Sequence, residues 1–137
     1  MGRMSMCAEV AAYLDTEIST LTAGTNLFAV EMPPEPALAV CLYEYDGMGE
    51  QDTLGSEPES FDVWMDLRVQ VQVRGPDYLA ASAMADLVHD ALKVILDTSV
   101  GGHTYHRVQG QGSWTVLEID SKARVRMKHD YHVWRAA

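Results

Sequence analysis

The chain has 137 residues, a length that predicts one compact domain without room for a separate catalytic module. Hydrophobic residues make up 47% of it, enough for a core, and charged residues make up 22%, so collagen-like, low-complexity and wholly disordered classes are excluded. No apolar run reaches the roughly eighteen residues of a membrane span, and the first residues lack the features of a secretory signal. We therefore expect a cytosolic chain with no membrane partner.

Charge is divided unevenly along the chain. The formal net charge is −10; residues 1–66 hold thirteen acidic residues and one arginine, whereas residues 67–137 hold nine basic and seven acidic residues. A net negative charge repels phosphate backbones, so we expect no specific nucleic-acid binding. An acidic and a basic flank favour head-to-tail packing of identical copies, and such contacts close into rings. Two solvated faces of a monomer are the alternative.

The chain begins with a predicted helix. Ser5 is a suitable N-cap, and apolar residues recur at helical spacing as far as Leu21. Gly24 is expected to end the helix, because glycine disfavours helix continuation. The apolar stripe of this helix should face the core.

Two short strands and an acidic loop are predicted next. The strands cover 27–32 and 37–45, and the three prolines within 33–36 form a rigid turn between them. From about 46 to 62 the sequence is acidic, rich in glycine and without apolar periodicity. Such a segment buries too little surface to order itself, which predicts a mobile loop.

The most regular pattern is a strict alternation of apolar and polar residues over 63–74. This period of two predicts a strand with one buried face. Gly75 and Pro76 end the strand, and Asp77 is the expected N-cap of a second helix, stopped by the glycines at 101–102. Small apolar residues in this helix would allow close packing on a sheet.

Three strands are predicted in the last third, at 103–109, 113–119 and 123–134, with turns at 110–112 and 120–121. The resulting order αβββαβββ predicts an α+β fold. In it, two helices pack on one face of a mixed, mostly antiparallel β-sheet. We expect the whole chain, 1–137, to form this one domain.

Histidines are the only candidates for a metal site. His103 and His106 are three residues apart, as are His129 and His132, and this spacing on a strand points two side chains to opposite faces. Nucleophile elbows and phosphate-binding glycine loops are missing, and both cysteines lie among apolar neighbours. We predict no metal, no cofactor and no catalytic residue. The histidine pairs keep a small metal-dependent hydrolase as the alternative from another class.

Three strings in the sequence point to a family. A proline-rich turn at 32–34 leads through a strand to the acidic and aromatic residues 42–47, an alternating strand passes into a helix over 67–78, and Asp-Ser-Lys-Ala-Arg at 120–124 precedes the last strand. In these strings the chain resembles the tail-terminator and tail-completion proteins of long-tailed bacteriophages, also called minor capsid proteins. Together the strings span most of the chain from residue 32 onward.

The resemblance implies a virion structural protein that works without a cofactor. It implies a subunit of a hexameric ring that caps the finished tail tube, stops its polymerisation and joins tail to head. The implied partners are the major tail-tube protein and a head-completion or connector protein, with DNA passing through the channel without specific binding. The implied location is the head-proximal end of the tail, after assembly in the host cytoplasm. A head-completion or connector subunit of the same virion is the nearest alternative.

Contacts to a neighbouring copy or to the tail tube are predicted along the polar sides of two strands. Arginines there should meet acidic groups of the neighbour, and a tryptophan followed by an arginine near the C-terminus should act as an aromatic anchor. Exposed charge pairs contribute only about 0–1 kcal/mol each, so they would set register. The predicted interface set is Arg68, Gln70, Gln72, Arg74, Arg124, Arg126 and Trp134.

Overall fold

A computed structural model describes residues 6–29, 31–52 and 63–136. In chain order the elements are α1 (Met6–Glu17), β1 (Leu27–Ala29), β2 (Ala39–Asp52), β3 (Val63–Gly75), α2 (Tyr78–Lys93), β4 (Leu96–Val100), β5 (His103–Ile119) and β6 (Val125–Ala136). The predicted order αβββαβββ and the α+β class are confirmed. Within the described ranges, neither helix has the length and apolar character needed to cross a membrane.

All six strands belong to one mixed sheet, in the order β1-β2-β3-β6-β5-β4. β1 pairs with β2 in parallel, whereas the other neighbouring strands are antiparallel. The alternating strand predicted at 63–74 is β3, and it lies between β2 and β6. Because β3 and β6 are central, each residue of these strands faces either the helices or the opposite side of the sheet.

Both helices pack on one face of the sheet around the main hydrophobic core. Val69, Val71 and Val73 of β3 are fully buried there together with Leu14 of α1 and Val88 of α2. Burial of a side chain of this size stabilises the fold by about 1.5–3 kcal/mol. The strict alternation of β3 leaves its polar residues on the other side of the sheet, which we call the open face.

The second helix begins as predicted and ends earlier than predicted. The Asp77 carboxylate accepts a hydrogen bond from the Ala80 amide at 2.8 Å, so Asp77 is the N-cap. The helix stops at Lys93, and Leu96–Val100 forms strand β4 beside β5. The glycines at 101–102, expected to stop the helix, instead adopt φ of 60° and 88° and turn the chain from β4 into β5.

The predicted turn at 110–112 is wrong, because β5 runs without a break from His103 to Ile119. Its register against β6 shifts between Gln111 and Thr115, and Gly112 there has a φ of 78°. Glycine therefore accommodates an irregularity inside one long strand rather than a hairpin. The number of strands still matches the prediction, since β4 takes the place of the strand that does not separate.

Two element boundaries in the first half of the chain also differ from those predicted. α1 ends at Glu17, because the polar residues that follow form turns, as in the 2.7 Å hydrogen bond from the Thr22 amide to Asn26 Oδ1. Residues 46–52, predicted in an acidic loop, continue β2, and 49–52 pair with β3 after a register shift. The other part of that predicted loop, 53–62, and the predicted cap Ser5 lie outside the described residues.

Candidate functional site

The open face of the sheet is a surface on which the polar residues of several strands meet. Antiparallel pairing places Gln70 opposite Asp130 and Gln72 opposite Lys128, so these rows cross the centre of the sheet. Both helices lie on the other face. On the central strands the open face carries Arg68, Gln70, Gln72, Arg74, Arg126, Lys128, Asp130, His132 and Trp134.

A chain of hydrogen bonds with a single direction runs along the centre of this face. Arg126 Nη1 donates to Gln72 Oε1 at 3.2 Å, Gln72 Nε2 donates to Gln70 Oε1 at 2.6 Å, and Gln70 Nε2 donates to Asp130 Oδ1 at 3.1 Å. Lys128 adds an ion pair with Asp130 at 3.3 Å. We call this the polar row. Its side chains are buried or only partly exposed, and they hold one another in place. This arrangement preorganises them for contact with another molecule.

Five members of the predicted interface set lie on this face and do not bind the proline-rich segment at its edge. They are Arg68, Gln70, Gln72, Arg126 and Trp134. Sequence alternation placed each residue on the polar side of its own strand, and the pairing of β3 with β6 in register brings the two rows together. Their contact with a neighbouring copy stays a prediction.

Arg74 and Arg124 hold the proline-rich segment that follows β1. Arg74 is 2% exposed, and its Nη2 donates to the Pro36 carbonyl at 2.6 Å and its Nε to the Ala37 carbonyl at 3.3 Å. Arg124 donates to the Pro34 carbonyl and, through Nε at 2.7 Å, to Asp120. These two arginines therefore shape one end of the open face from within the chain.

An aromatic stack lies at the other end of the open face. The rings of His132 and Trp134 are stacked, with centroids 3.8 Å apart, and the Arg107 guanidinium lies 6.0 Å from the Trp134 ring. Strand pairing sets Arg107 directly opposite Trp134. Trp134 was predicted as an anchor and His132 was considered only as a metal ligand, whereas Arg107 was missed because nothing in the sequence gives the register of β5 against β6.

A buried charge cluster on the helix side was also missed. Glu9 is fully buried, and its Oε1 accepts hydrogen bonds from Tyr105 Oη and Arg135 Nη1, both at 2.8 Å, while Oε2 contacts His103 Nδ1. Burial, reinforced by Glu9, raises the pKa of Tyr105. We call these four residues the Glu9 cluster. They join α1 to β5 and β6 through three contacts of one buried carboxylate, so we interpret the cluster as structural.

A second cluster, beneath α2, contains the remaining core histidines. His89 Nδ1 and the Tyr131 hydroxyl are 2.7 Å apart, and the ring of His129 lies 4.5 Å from that of Tyr131 and 5.2 Å from that of Trp114. His129 Nε2 contacts the Gly112 carbonyl at 3.2 Å. The prediction that His129 and His132 point to opposite faces is confirmed: the first is buried under the helix and the second lies on the open face.

The described ranges give little support for a metal site or a catalytic nucleophile. Within them, no three histidine, cysteine, aspartate or glutamate side chains are grouped so as to hold a metal ion. His106, three residues from His103, instead contacts Asp97 at 2.7 Å. Cys7 and Cys41 form no disulfide and are buried, as their apolar neighbours indicated, and burial raises the pKa of Cys7 to about 12. A thiol with such a pKa is a poor nucleophile near neutral pH.

Burial of His129 makes stability depend on pH. Burial lowers the pKa of His129 below its ordinary value of 6.5, so the unfolded chain takes up this proton before the folded chain does. The stability that His129 contributes is complete above about pH 6.5 and is lost as the pH falls through the lower pKa of the folded state. Urea unfolding at about pH 7.5 and 5.5 should show a smaller loss in His129→Phe than in the unmodified protein. His106→Gln, at an exposed position, should retain the full loss; an equal loss in His129→Phe would contradict the assignment.

The chain is similar to known proteins in sequence and in fold. A family model described as bacteriophage tail terminator protein matches residues 15–131, a range that contains the polar row and ends just before Trp134. Among solved structures, the chain is similar to a chain in the virion of a native gene transfer agent particle, with a TM-score of 0.60, 18% identity, and coverage of 97% of this chain and 96% of that one. At that identity the likeness concerns the fold. The comparison with curated proteins gives no match.

Proposed function

The chain belongs to the bacteriophage tail terminator family, a class of virion structural proteins, and from this premise we propose that it caps the tail tube as a hexameric ring and ends its polymerisation. The observation that carries the proposal is the family match, which extends from the C-terminal part of α1 into β6. The proposed location is the head-proximal end of the tail, where the upper face of the ring meets a head-completion or connector protein. Neither role needs a cofactor or a catalytic residue.

Termination of a polymer requires two unlike faces on one ring. A tube grows because each added subunit layer presents a copy of the surface that received it. A terminator must complement the tip of the tube on one side. On its other side it must lack the surface that receives new subunits, so that no further subunit can bind. Specificity of this kind comes from matched shape and charge, which a flat sheet face with fixed polar groups can provide.

The open face supports this proposal because its polar groups have defined positions. We assign Arg68, Gln70, Gln72, Arg126 and Trp134 to contacts with a neighbouring copy or the tail-tube protein. The polar row would fix register, since exposed ion pairs contribute only about 0–1 kcal/mol each, while apolar and backbone contacts would hold the ring. Arg74 and Arg124 belong to the same proposal, and their role within the chain is to set the proline-rich segment beside that contact.

Passage of DNA through the ring is consistent with the charge of the chain. Each copy has a formal net charge of −10. An acidic wall offers the phosphates no cationic side chain, so contact with it would release no counterions from the DNA. DNA would therefore pass through the channel without specific binding. The strongly acidic first half of the sequence supplies most of this charge.

The proposal is tested by adding the full chain to tubes assembled from the major tail-tube protein of the same virion. We expect annular caps at one end of the tubes in negative-stain images, six copies per ring by native mass spectrometry, and no further elongation when fresh tube protein is added. Tubes without the chain should continue to grow. A chain that stays monomeric on and off the tubes, and leaves tube growth unchanged, would refute the proposal.

A further inference from the structure

Two arginines on the open face differ from the other cations of the protein. Seven of the nine basic side chains in the described ranges donate to a carboxylate or a carbonyl group of the chain. Arg68 and Arg107 make no hydrogen bond or ion pair with any described residue. A guanidinium is a fork of donors that fits carboxylates, so these two groups are ready for acidic groups from another molecule.

Both arginines border the aromatic stack. Arg68 lies opposite His132 in the pairing of β3 with β6, and Arg107 lies opposite Trp134 in the pairing of β5 with β6. His106, Arg107 and Trp134 also line a shallow cavity of about 230 Å³. We call Arg68, Arg107, His132 and Trp134 the arginine–tryptophan cluster. Tryptophan and arginine are the residues most enriched at the energetic centres of protein interfaces.

A surface of opposite charge lies at the far edge of the sheet. A groove of about 790 Å³ runs between α1 and the edge strand β1, and its walls include Ala8, Ala11 and Ala12. Asp15 and Glu31 bring carboxylates to the same groove. Glu31 is exposed and has no partner among the described side chains. Small alanine side chains leave room for a planar ring, and the carboxylates match guanidinium groups.

The two surfaces are separated in the way that a ring contact requires. β1 is one edge of the sheet, and β5 lies four strand positions away, on the order of 19 Å at the usual strand spacing. Unlike surfaces on opposite sides of one protomer form a heterologous contact, which generates a closed ring when repeated by rotation. The charges also exclude the alternatives in which like surfaces meet, since two acidic grooves or two arginine pairs repel.

We propose that the arginine–tryptophan cluster of one copy docks on the α1–β1 groove of the next copy, with Arg107 facing Glu31 and Trp134 between the alanines of α1. This inference rests on the proposed ring and names the surfaces that close it. The occupant of the groove is a second copy of the chain. An acidic site on the tail-tube protein is the competing partner for the arginines, and the experiment below separates the two.

A charge exchange tests the contact. In Arg107→Glu and in Glu31→Arg, sedimentation velocity at several concentrations should show ring association weakened by more than about tenfold, because like charges then face each other. The double variant Arg107→Glu with Glu31→Arg should recover association to within a few-fold of the unmodified protein. Lys93→Glu makes the same charge change at an exposed position of α2 and should leave association unchanged. Circular dichroism and thermal melts should establish that all variants fold.

The outcomes distinguish the contact from the ring itself. Rings of normal strength in both single variants, or no recovery in the double variant, would overturn the proposed contact and leave the ring proposal standing. If the arginines serve the tube instead, Arg107→Glu rings form normally but bind tubes weakly. If the unmodified chain forms no ring on or off tubes, the proposed function itself is refuted. Trp134→Ala should also weaken association, and full association without the indole would count against the anchor.

Discussion

Glu9→Ala is expected to lower the free energy of unfolding by about 3–5 kcal/mol, the usual cost of removing one partner of a buried ion pair. Arg135 is 5% exposed, so its guanidinium would lose the Glu9 carboxylate with little access to water. The hydroxyl of Tyr105, which is fully buried, would lose its acceptor as well. Urea unfolding followed by circular dichroism near pH 7 measures the change.

Two further variants separate the Glu9 cluster from general effects of mutation. Glu17→Ala removes an exposed carboxylate from the same helix, and surface changes of this kind stay within about 0.5 kcal/mol. Glu9→Leu combined with Arg135→Met should recover part of the loss, because an apolar pair leaves neither charge unpaired, although the Tyr105 hydroxyl still lacks its acceptor. A loss below about 1 kcal/mol in Glu9→Ala would mean that water replaces the carboxylate, contrary to the prediction.

Gly75→Ala is expected to destabilise the protein by about 2–3 kcal/mol, the upper part of the range for overpacked positions. A Cβ at this position would lie 2.6 Å from the Ala81 amide nitrogen and 2.9 Å from its Cα. These are backbone atoms of α2, so relief requires the helix to move away from β3 rather than a side chain to rotate. The change is measured by urea unfolding.

Pro76→Ala is the matched control, since it alters the next residue at an exposed position and should cost less than about 1 kcal/mol. A Gly75→Ala variant as stable as Pro76→Ala would show that the strand and helix separate at no cost. Sequence analysis identified Gly75 only as a residue that ends a strand. The structure adds that the glycine is required by the close approach of α2.

Elements defined by local patterns were predicted well. β3 was evident because six apolar residues alternate with polar ones, and α2 because Asp77 precedes an amphipathic run. The glycines at 110 and 112 were misinterpreted, since a glycine serves equally in a hairpin turn and in an irregular strand. The strand character of 46–52 was hidden by its acidic composition, because pairing with the regular strand β3 outweighs local preference there.

The proposed contact surface could be predicted from the sequence only where a strand alternates regularly. Arg68, Gln70, Gln72 and Arg126 were placed on one face because each lies on a strand with a clear period of two. Arg107 was missed because β5 is irregular between Tyr105 and Arg107, which changes the face on which the arginine lies. The Glu9 cluster could not be predicted, since its contacts join residues 94, 96 and 126 positions apart.

The polar row makes the two directions along the open face different from each other. Its donors all point one way, from Arg126 toward Asp130, and Lys128 pairs with Asp130 as well, so donors and acceptors follow one order along the sheet. A partner whose donors and acceptors follow the complementary order would gain hydrogen bonds, whereas the same partner turned by half a revolution would set donor against donor and acceptor against acceptor. We therefore expect the row to favour one of the two orientations of an arriving subunit, even where its outline fits both.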